Sequence, residues 1–247
     1  MKKILILALG TCLLHAPSFG QKQTGGEKNF QVMFAPLGRN PVNISGISFR
    51  KFNSAGNAAW RVNLFLGFTH TDDYLSQADT GTTYPNNRPE THTKSSGMNI
   101  SIRPGYEKHF AGTDRLSPYI GGELLFSITT LTVDSDGLVP NSTTYPTGYT
   151  VLTTTTKGKG SVLGNDVGTT YGVNLIAGTD YYIAKDLSLG VEFGWGFSST
   201  LKADYKSQHV DYSDYTVKDN LTQKQGSAWT IAPNVIAQFK LGWLFGK

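Results

Sequence analysis

The stretch SAWTIAPNVIAQFKLGWLF at residues 227–245 decides how this chain is read. Its odd positions are Ser227, Trp229, Ile231, Pro233, Val235, Ala237, Phe239, Leu241, Trp243 and Phe245. Its even positions are Ala228, Thr230, Ala232, Asn234, Ile236, Gln238, Lys240, Gly242 and Leu244. One face is greasy and the other mostly polar or small, and successive side chains of a strand point to opposite faces. A soluble strand usually runs about 5–6 residues, whereas one that crosses a bilayer needs about 9–11. An alternation this long predicts a membrane-crossing strand.

The same template recurs upstream. Leu187, Leu189, Val191, Phe193, Trp195 and Phe197 alternate with Ser188, Gly190, Glu192, Gly194, Gly196 and Ser198. Tyr171, Val173, Leu175, Ala177 and Tyr181 alternate with Gly172, Asn174, Gly178 and Asp180. Ile120, Leu124, Phe126 and Ile128 oppose Tyr119, Glu123 and Ser127; Met98, Ile100, Ile102 and Tyr106 oppose Asn99, Ser101, Arg103 and Glu107. Trp60, Val62, Leu64, Leu66 and Phe68 oppose Arg61, Asn63, Gly67 and Thr69, and two weaker stretches at 30–37 and 44–52 bring the expected total to eight.

The connections alternate as well. Residues 53–58, 111–115 and 184–186 are short and turn-like, whereas 70–97, 133–166 and 200–226 are long and polar, with one shorter connection at 38–43. Short turns at one end and long loops at the other mark an outer-membrane barrel. An even number of strands puts both termini at the short-turn, periplasmic end. Hydrocarbon offers the backbone no partners, so strands survive there only in a closed sheet, with one face to lipid and one to the lumen. The expected fold is therefore all-β, an eight-stranded antiparallel up-and-down transmembrane β-barrel.

Composition agrees. Charged residues make up only 16% and hydrophobic ones 38%, with a mean hydropathy of −0.25. That excludes a helical membrane bundle and disfavours a soluble enzyme, a coiled coil and a disordered tail, because ordinary globular chains are about a quarter charged. The first twenty residues read as a signal peptide: Lys2 and Lys3, an apolar core over residues 4–14 too short to span a bilayer, then Ser18-Phe19-Gly20 at a cleavage site. The expected organisation is a signal peptide at 1–20 and one barrel domain at 21–247, localised to the outer membrane after export. Cys12, the single cysteine, falls in the leader, so the mature chain offers no disulfide or thiolate ligand. Losing Lys2 and Lys3 lowers the formal charge from +4 to +2, too little to suggest nucleic acid.

The leader, the eight alternating stretches, Gly-Val-Glu-Phe-Gly-Trp-Gly at 190–196 and the closing Phe-Lys-Leu-Gly-Trp-Leu-Phe at 239–245 resemble the outer-membrane β-barrel domain family, similar in build to the OmpA and OmpX barrels. The resemblance implies outer-membrane lipid as surroundings and the barrel-assembly machinery as a partner that reads the last strand. Here Phe245 is followed by Gly246 and Lys247, a small departure from a terminal aromatic. Roles in this family range over adhesion, stress response and envelope integrity.

The inward faces carry Arg50, Arg61, Arg103 and Lys240 beside Glu107, Glu123, Asp180 and Glu192. An eight-stranded interior is only wide enough for side chains to fill it, so these charges predict a plugging ion network rather than an ion path. Pairing Phe110 with Leu116 sets Arg103 opposite Glu123. The same arithmetic across 53–58 sets Arg50 opposite Arg61, a like-charge contact that needs a carboxylate such as Glu107. Outward Trp60, Tyr171, Trp195, Trp229, Trp243 and Phe245 are the expected membrane-interface aromatics.

No motif requires a catalytic, metal or cofactor role. His70, His92 and His209 fall in or at the edge of the long loops, and His109 at a short-turn strand end. A barrel-type lipid deacylase needs a Ser and a His on one face near the outer rim with a carboxylate behind the His, and His92-Thr93-Lys94-Ser95 comes nearest. Asp134-Ser135-Asp136-Gly137 begins like a calcium loop, but its twelfth position is Tyr145 rather than Glu. The threonine- and tyrosine-rich loops at 133–166 and 200–226 have paratope-like chemistry suited to an extracellular ligand. The expected role is structural or surface-interacting and non-enzymatic; the alternatives are a narrow porin-like channel and a lipid-modifying enzyme.

Cleavage between Gly20 and Gln21 is expected. N-terminal sequencing of exported protein should begin at Gln21, and a lipidated Cys12 would refute it.

Overall fold

A strand meets its backbone hydrogen-bonding needs only if both edges find partners. The computed structural model describes residues 22–34, 44–76, 90–140, 149–156, 167–211 and 216–246; the leader expected at 1–20 lies outside them. In chain order the strands are β1 Lys28–Phe34, β2 Ile44–Phe52, β3 Ala58–Ser76, β4 Thr91–His109, β5 Leu116–Pro140 and β6 Tyr149–Thr156. They continue as β7 Gly168–Tyr182, β8 Leu187–Lys202, β9 Tyr205–Asp211, β10 Thr216–Gln223 and β11 Ser227–Phe245. The fold is all-β. Eight strands, β1-β2-β3-β4-β5-β7-β8-β11, pair antiparallel in that order, and β11 returns to β1 to close a ring.

The register sets the ring's shape. From Leu189 the cross-strand partners run through Leu241, Val32, Ile47, Leu64, Ile102, Phe126 and Tyr171 to Ser199. One circuit thus returns to β8 ten residues further along. With strands about 4.8 Å apart and about 3.3 Å of rise per residue, that offset tilts them by roughly 40°.

The two faces are inverted relative to a soluble protein. Outward side chains include Phe68, Trp60 and Leu175, which are 75%, 70% and 70% exposed. Inward Arg50, Arg61, Glu107, Asp180 and Lys240 are buried. The short-turn end is closed by Phe52, Ala59, Tyr182 and Leu244. The segment before β1 crosses this end, where the Lys22 amide bonds the Asp114 carbonyl at 2.8 Å and the Phe52 amide bonds the Glu27 carbonyl at 2.9 Å.

Strand structure reaches further than the apolar alternation. β3 continues to Ser76 and β5 to Pro140, with Asp72 opposite Lys94 and Lys94 opposite Asp134. β6 extends this sheet along β5, and β9 and β10 form a separate hairpin. The connections at 70–97, 133–166 and 200–226 therefore contain strands. Neither face there is apolar, so period-two hydrophobicity is silent; β-branched residues such as Val133 and the Thr153–Thr156 run still favour extended pairing. Of the first stretch, expected over 30–37, β1 covers 30–34, and 35–37 lie outside the described residues.

Two hairpin registers were open to prediction. Arg50 does lie opposite Arg61. Across the β4–β5 turn the Phe110 amide bonds the Pro118 carbonyl at 2.9 Å rather than pairing with Leu116. The turn is longer because the Thr113 amide bonds the Leu116 carbonyl at 3.1 Å and the Thr113 hydroxyl accepts the Leu116 amide at 3.0 Å. Glu123 therefore faces Gly105, two residues from the expected Arg103. A shift of two keeps every side chain on its own face.

Glycine lets the wall close. At Gly56 a φ of 67° turns the β2–β3 connection in a conformation that L side chains rarely adopt. At Gly121 a Cβ would stand 2.4 Å from the Tyr106 carbonyl oxygen and 2.9 Å from the Glu107 Cα, both backbone atoms of the adjacent strand. Gly121→Val should therefore cost about 1–3 kcal/mol and lower the midpoint of urea unfolding. Gly226→Ala, with nothing within 4 Å of its Cβ, should leave that midpoint unchanged.

Candidate functional site

Inward residues sit close enough to meet across the ring, and the charged ones do. The Arg50 guanidinium lies 2.9 Å from Glu107 Oε1 and 2.7 Å from Asp180 Oδ2. The Asp180 contact is an ion pair off the hydrogen-bonding direction, whereas Nη2 also donates to Asn29 Oδ1 at 3.0 Å. Arg61 grips Glu192 with both arms, Nη1 to Oε2 at 2.6 Å and Nη2 to Oε1 at 3.0 Å, and reaches Glu107 Oε2 at 3.1 Å. Lys240 Nζ bonds Glu192 Oε2 at close range, and the Tyr119 hydroxyl donates to the same oxygen at 2.7 Å. The like-charged neighbours Arg50 and Arg61 are thus separated by the two oxygens of Glu107. Every strand of the ring contributes a member, β1 through Asn29 and β7 through Asp180.

Glu123 anchors the outer edge of the network. It accepts from Asn63 Nδ2 at 3.0 Å and Asn174 Nδ2 at 2.9 Å, with Arg61 at 3.7 Å and Arg103 at 3.5 Å. Arg103 reaches it diagonally, since Gly105 is the residue directly opposite. The Arg103 side chain is 16% exposed, against at most 1% for Arg50, Arg61 and Lys240. It lies over the Phe65 ring, 4.4 Å from the centroid. At the other end His109 bridges Glu107 Oε1 at 3.1 Å and Ser117 Oγ at 2.7 Å, and Gln23 donates to that hydroxyl at 2.7 Å.

Beyond the network, towards the long connections, the lumen opens into a cavity of about 670 Å³. Phe65, Asn99, Ser101, Arg103, Ser127 and Thr129 line it. Charge is packed solid on the short-turn side, and space lies on the other. Asn63, Asn174, Tyr119 and Asn29 were not singled out by sequence reasoning. Parity alone puts Asn63, Asn174 and Tyr119 on the inward face, but nothing local says which inward polar group bonds a charge.

Around the ring's outside, Trp60 packs edge-on against Tyr106 with centroids 5.1 Å apart, and Trp243, Phe245, Tyr171 and Trp229 all point outward. Trp195 also points outward, but it stands midway along β8 opposite Leu175.

The outer rim holds two histidine contacts. His70 Nδ1 lies 2.9 Å from Ser96 Oγ. Asp72, on the same face, is turned to His92, whose Nδ1 lies 2.9 Å from Asp72 Oδ1 and whose Nε2 lies 2.8 Å from Glu90 Oε1. Hydrogen bonds to Asp72 and then Glu90 raise the His92 pKa above 6.5, and the same bond from His92 lowers that of Asp72. Asp72 thus hydrogen-bonds His92 rather than the imidazole of the His70–Ser96 pair. The calcium-loop start is extended strand, with Asp136 Oδ2 accepting the His92 amide at 3.0 Å. His209 lies in β9, outside the described side chains. Among the described residues no group of three His, Cys, Asp or Glu side chains is placed to hold a metal ion. No protein-family model matches the chain, and no curated protein matches it.

Removing one member of a buried ion cluster strands its partners' charge and typically costs about 3–5 kcal/mol. Glu192→Gln, which strands Arg61 and Lys240 together, should show a loss of that size in denaturant unfolding. Glu123→Gln should cost less. Its coupling to Arg103→Met in a double-mutant cycle should fall below that of Glu192 with Arg61, because Arg103 is longer in contact and partly wet.

A histidine whose folded pKa is raised stabilises fully below its unfolded value and loses that contribution as pH rises through the folded value. Amide protection at the outer end of β3–β4 should therefore be greatest below about pH 6.5 and fall as His92 deprotonates above it. A His92→Asn variant should lose that pH dependence in hydrogen exchange.

Proposed function

We propose that the ring is an outer-membrane β-barrel whose plugged lumen makes it a non-enzymatic scaffold for its outer connections, with a structural or surface-interaction role. The inversion of the two faces carries this reading: an outward belt of exposed Leu, Val, Phe and Trp surrounds a buried, mutually paired set of charges. In water that arrangement wastes its apolar surface; in a bilayer it satisfies both sides. With strands tilted about 40°, each residue climbs about 2.5 Å. Trp60, Tyr106, Tyr181 and Trp243 then form a lower aromatic belt, and Phe68, Tyr171, Phe197 and Trp229 an upper one, roughly 20–30 Å away. That suits an apolar band of about 25 Å. Trp195 falls between the belts.

The plug argues for a scaffold over a pore. Arg50, Arg61, Glu107, Glu192 and Lys240 fill the interior from wall to wall, so an ion would have to break several charge-assisted bonds to pass. The strands that extend β3, β4 and β5 past the upper belt, with β6 and the β9–β10 hairpin, supply a surface for a ligand or partner. The lipid-modifying alternative has the His70–Ser96 hydrogen bond in its favour, and mass spectrometry of lipid A with and without Ser96→Ala would reveal it.

Leu64 and Leu175 stand near mid-height on the outward face. Arg at either position should cost about 2–4 kcal/mol of folding stability in lipid vesicles. If Leu64→Arg folds into bilayers as well as the parent, the membrane reading fails. Planar-bilayer recordings of the parent should show no stable open channel.

A further inference from the structure

Beyond the ion network, inward residues of β3, β4 and β5 form two cross-strand rows. Phe65 stands opposite Ser101 and Ser101 opposite Ser127; one step further, Gly67 stands opposite Asn99 and Asn99 opposite Thr129. All of them line the cavity of about 670 Å³, and so does Arg103, two residues nearer the network. Gly67 leaves room: a Cβ added there would meet nothing closer than the Asn99 Cβ at 3.8 Å. A second cavity of about 400 Å³ shares Gly67, Thr69, Asn99 and Thr129 with the first. Sites for small molecules ordinarily measure about 300–1,000 Å³.

The hydrogen-bond polarity of this lining is one-sided. Asn99 Nδ2 donates to Ser127 Oγ at 3.2 Å and to Thr129 Oγ1 at 2.7 Å. Arg103 Nε donates to Ser101 Oγ at 3.4 Å. A hydroxyl whose oxygen already accepts keeps its own O–H to give, and these hydroxyls have no acceptor among the described residues. Arg103 Nη1 faces Glu123 at 3.5 Å, whereas its Nη2 has no partner among the described residues. No Asp or Glu stands among the described residues that line either cavity. Glu123 itself has a fully buried side chain and is already held by the amides of Asn63 and Asn174. A cluster of donors without matching acceptors favours an anion over a cation or a neutral solute. Apolar surface adjoins them in the Phe65 ring, 4.4 Å beneath the Arg103 guanidinium, and in buried Leu125.

We propose that the outer half of the lumen is a binding site for a small organic oxyanion, its charge on Arg103 and the surrounding hydroxyls and its short apolar body on Phe65 and Leu125. Carboxylates and phosphate monoesters share this chemistry. The site needs the closed ring but not the bilayer around it, so it goes beyond the scaffold reading and can fail without it.

Full-length mature protein, folded in neutral-detergent micelles, would be titrated into para-fluorobenzoate, para-fluorophenyl phosphate and the uncharged para-fluorobenzamide, with binding followed by fluorine NMR. An anion should bind roughly tenfold more tightly than the amide, the margin of a single hydrogen bond to a charged group, and the tighter of the two anions identifies the acid group. Arg103→Gln should abolish that preference. Glu123→Gln, which removes the carboxylate competing for Arg103, should tighten anion binding, the opposite of what a general loosening of the network would do. Gly67→Phe fills the cavity without removing a donor; it should abolish binding of all three probes and keeps the test decisive if Arg103→Gln fails to fold. Equal binding of anion and amide overturns the proposal. Anion binding that survives Gly67→Phe lies elsewhere on the protein and overturns it too. No binding of any probe leaves the cavity to water alone and overturns it as well.

Discussion

Closure of eight strands with an offset of ten residues leaves an interior about 8 Å in backbone radius, and nearly everything else follows from that width. Inward side chains from opposite walls must touch. Arg61 and Glu192 are 131 residues apart in sequence, yet they make a two-pronged contact across the lumen. In so narrow a space a charge without a partner is intolerable, because the low dielectric that strengthens a pair also magnifies the cost of an orphan. The eight lumen charges are therefore a single cooperative object rather than a set of independent bridges. Glu107 illustrates it: one carboxylate holds apart two arginines that the β2–β3 register forces side by side.

The same narrowness divides the ring into two halves. Towards the short turns, aromatic and aliphatic side chains, His109 and Gln23 complete a solid floor. Towards the long connections many inward residues are Ser, Thr, Asn or Gly, and the lumen becomes a cavity lined also by Phe65, Leu125 and the partly exposed Arg103. The paired charges are concentrated in the lower half and open space in the upper. The scaffold role proposed above draws on that division.

Much of this was legible beforehand. Period-two alternation identified all eight ring strands and the face of each lumen charge, and turn length gave the Arg50–Arg61 register. The β4–β5 register was not legible, because Thr113 lengthens the turn through hydrogen bonds that no local pattern announces. The outer strands were not legible either: where no apolar face is required, hydrophobic periodicity has nothing to report. Trp195 was grouped with the interface aromatics on residue type and parity alone, but height along a tilted wall depends on neighbouring strands.

The sequence by itself determined which residues point inward and which outward, since that property is local and survives any register shift of two. Only the tertiary structure decided which inward residues meet. Lateral pairing depends on the length of each turn and on the offset at which β11 returns to β1, and both are sums over the whole ring. Thus the inward face of Glu192 is written in residues 187–198, whereas its contacts with Arg61, Lys240 and Tyr119 exist only because the sheet closes.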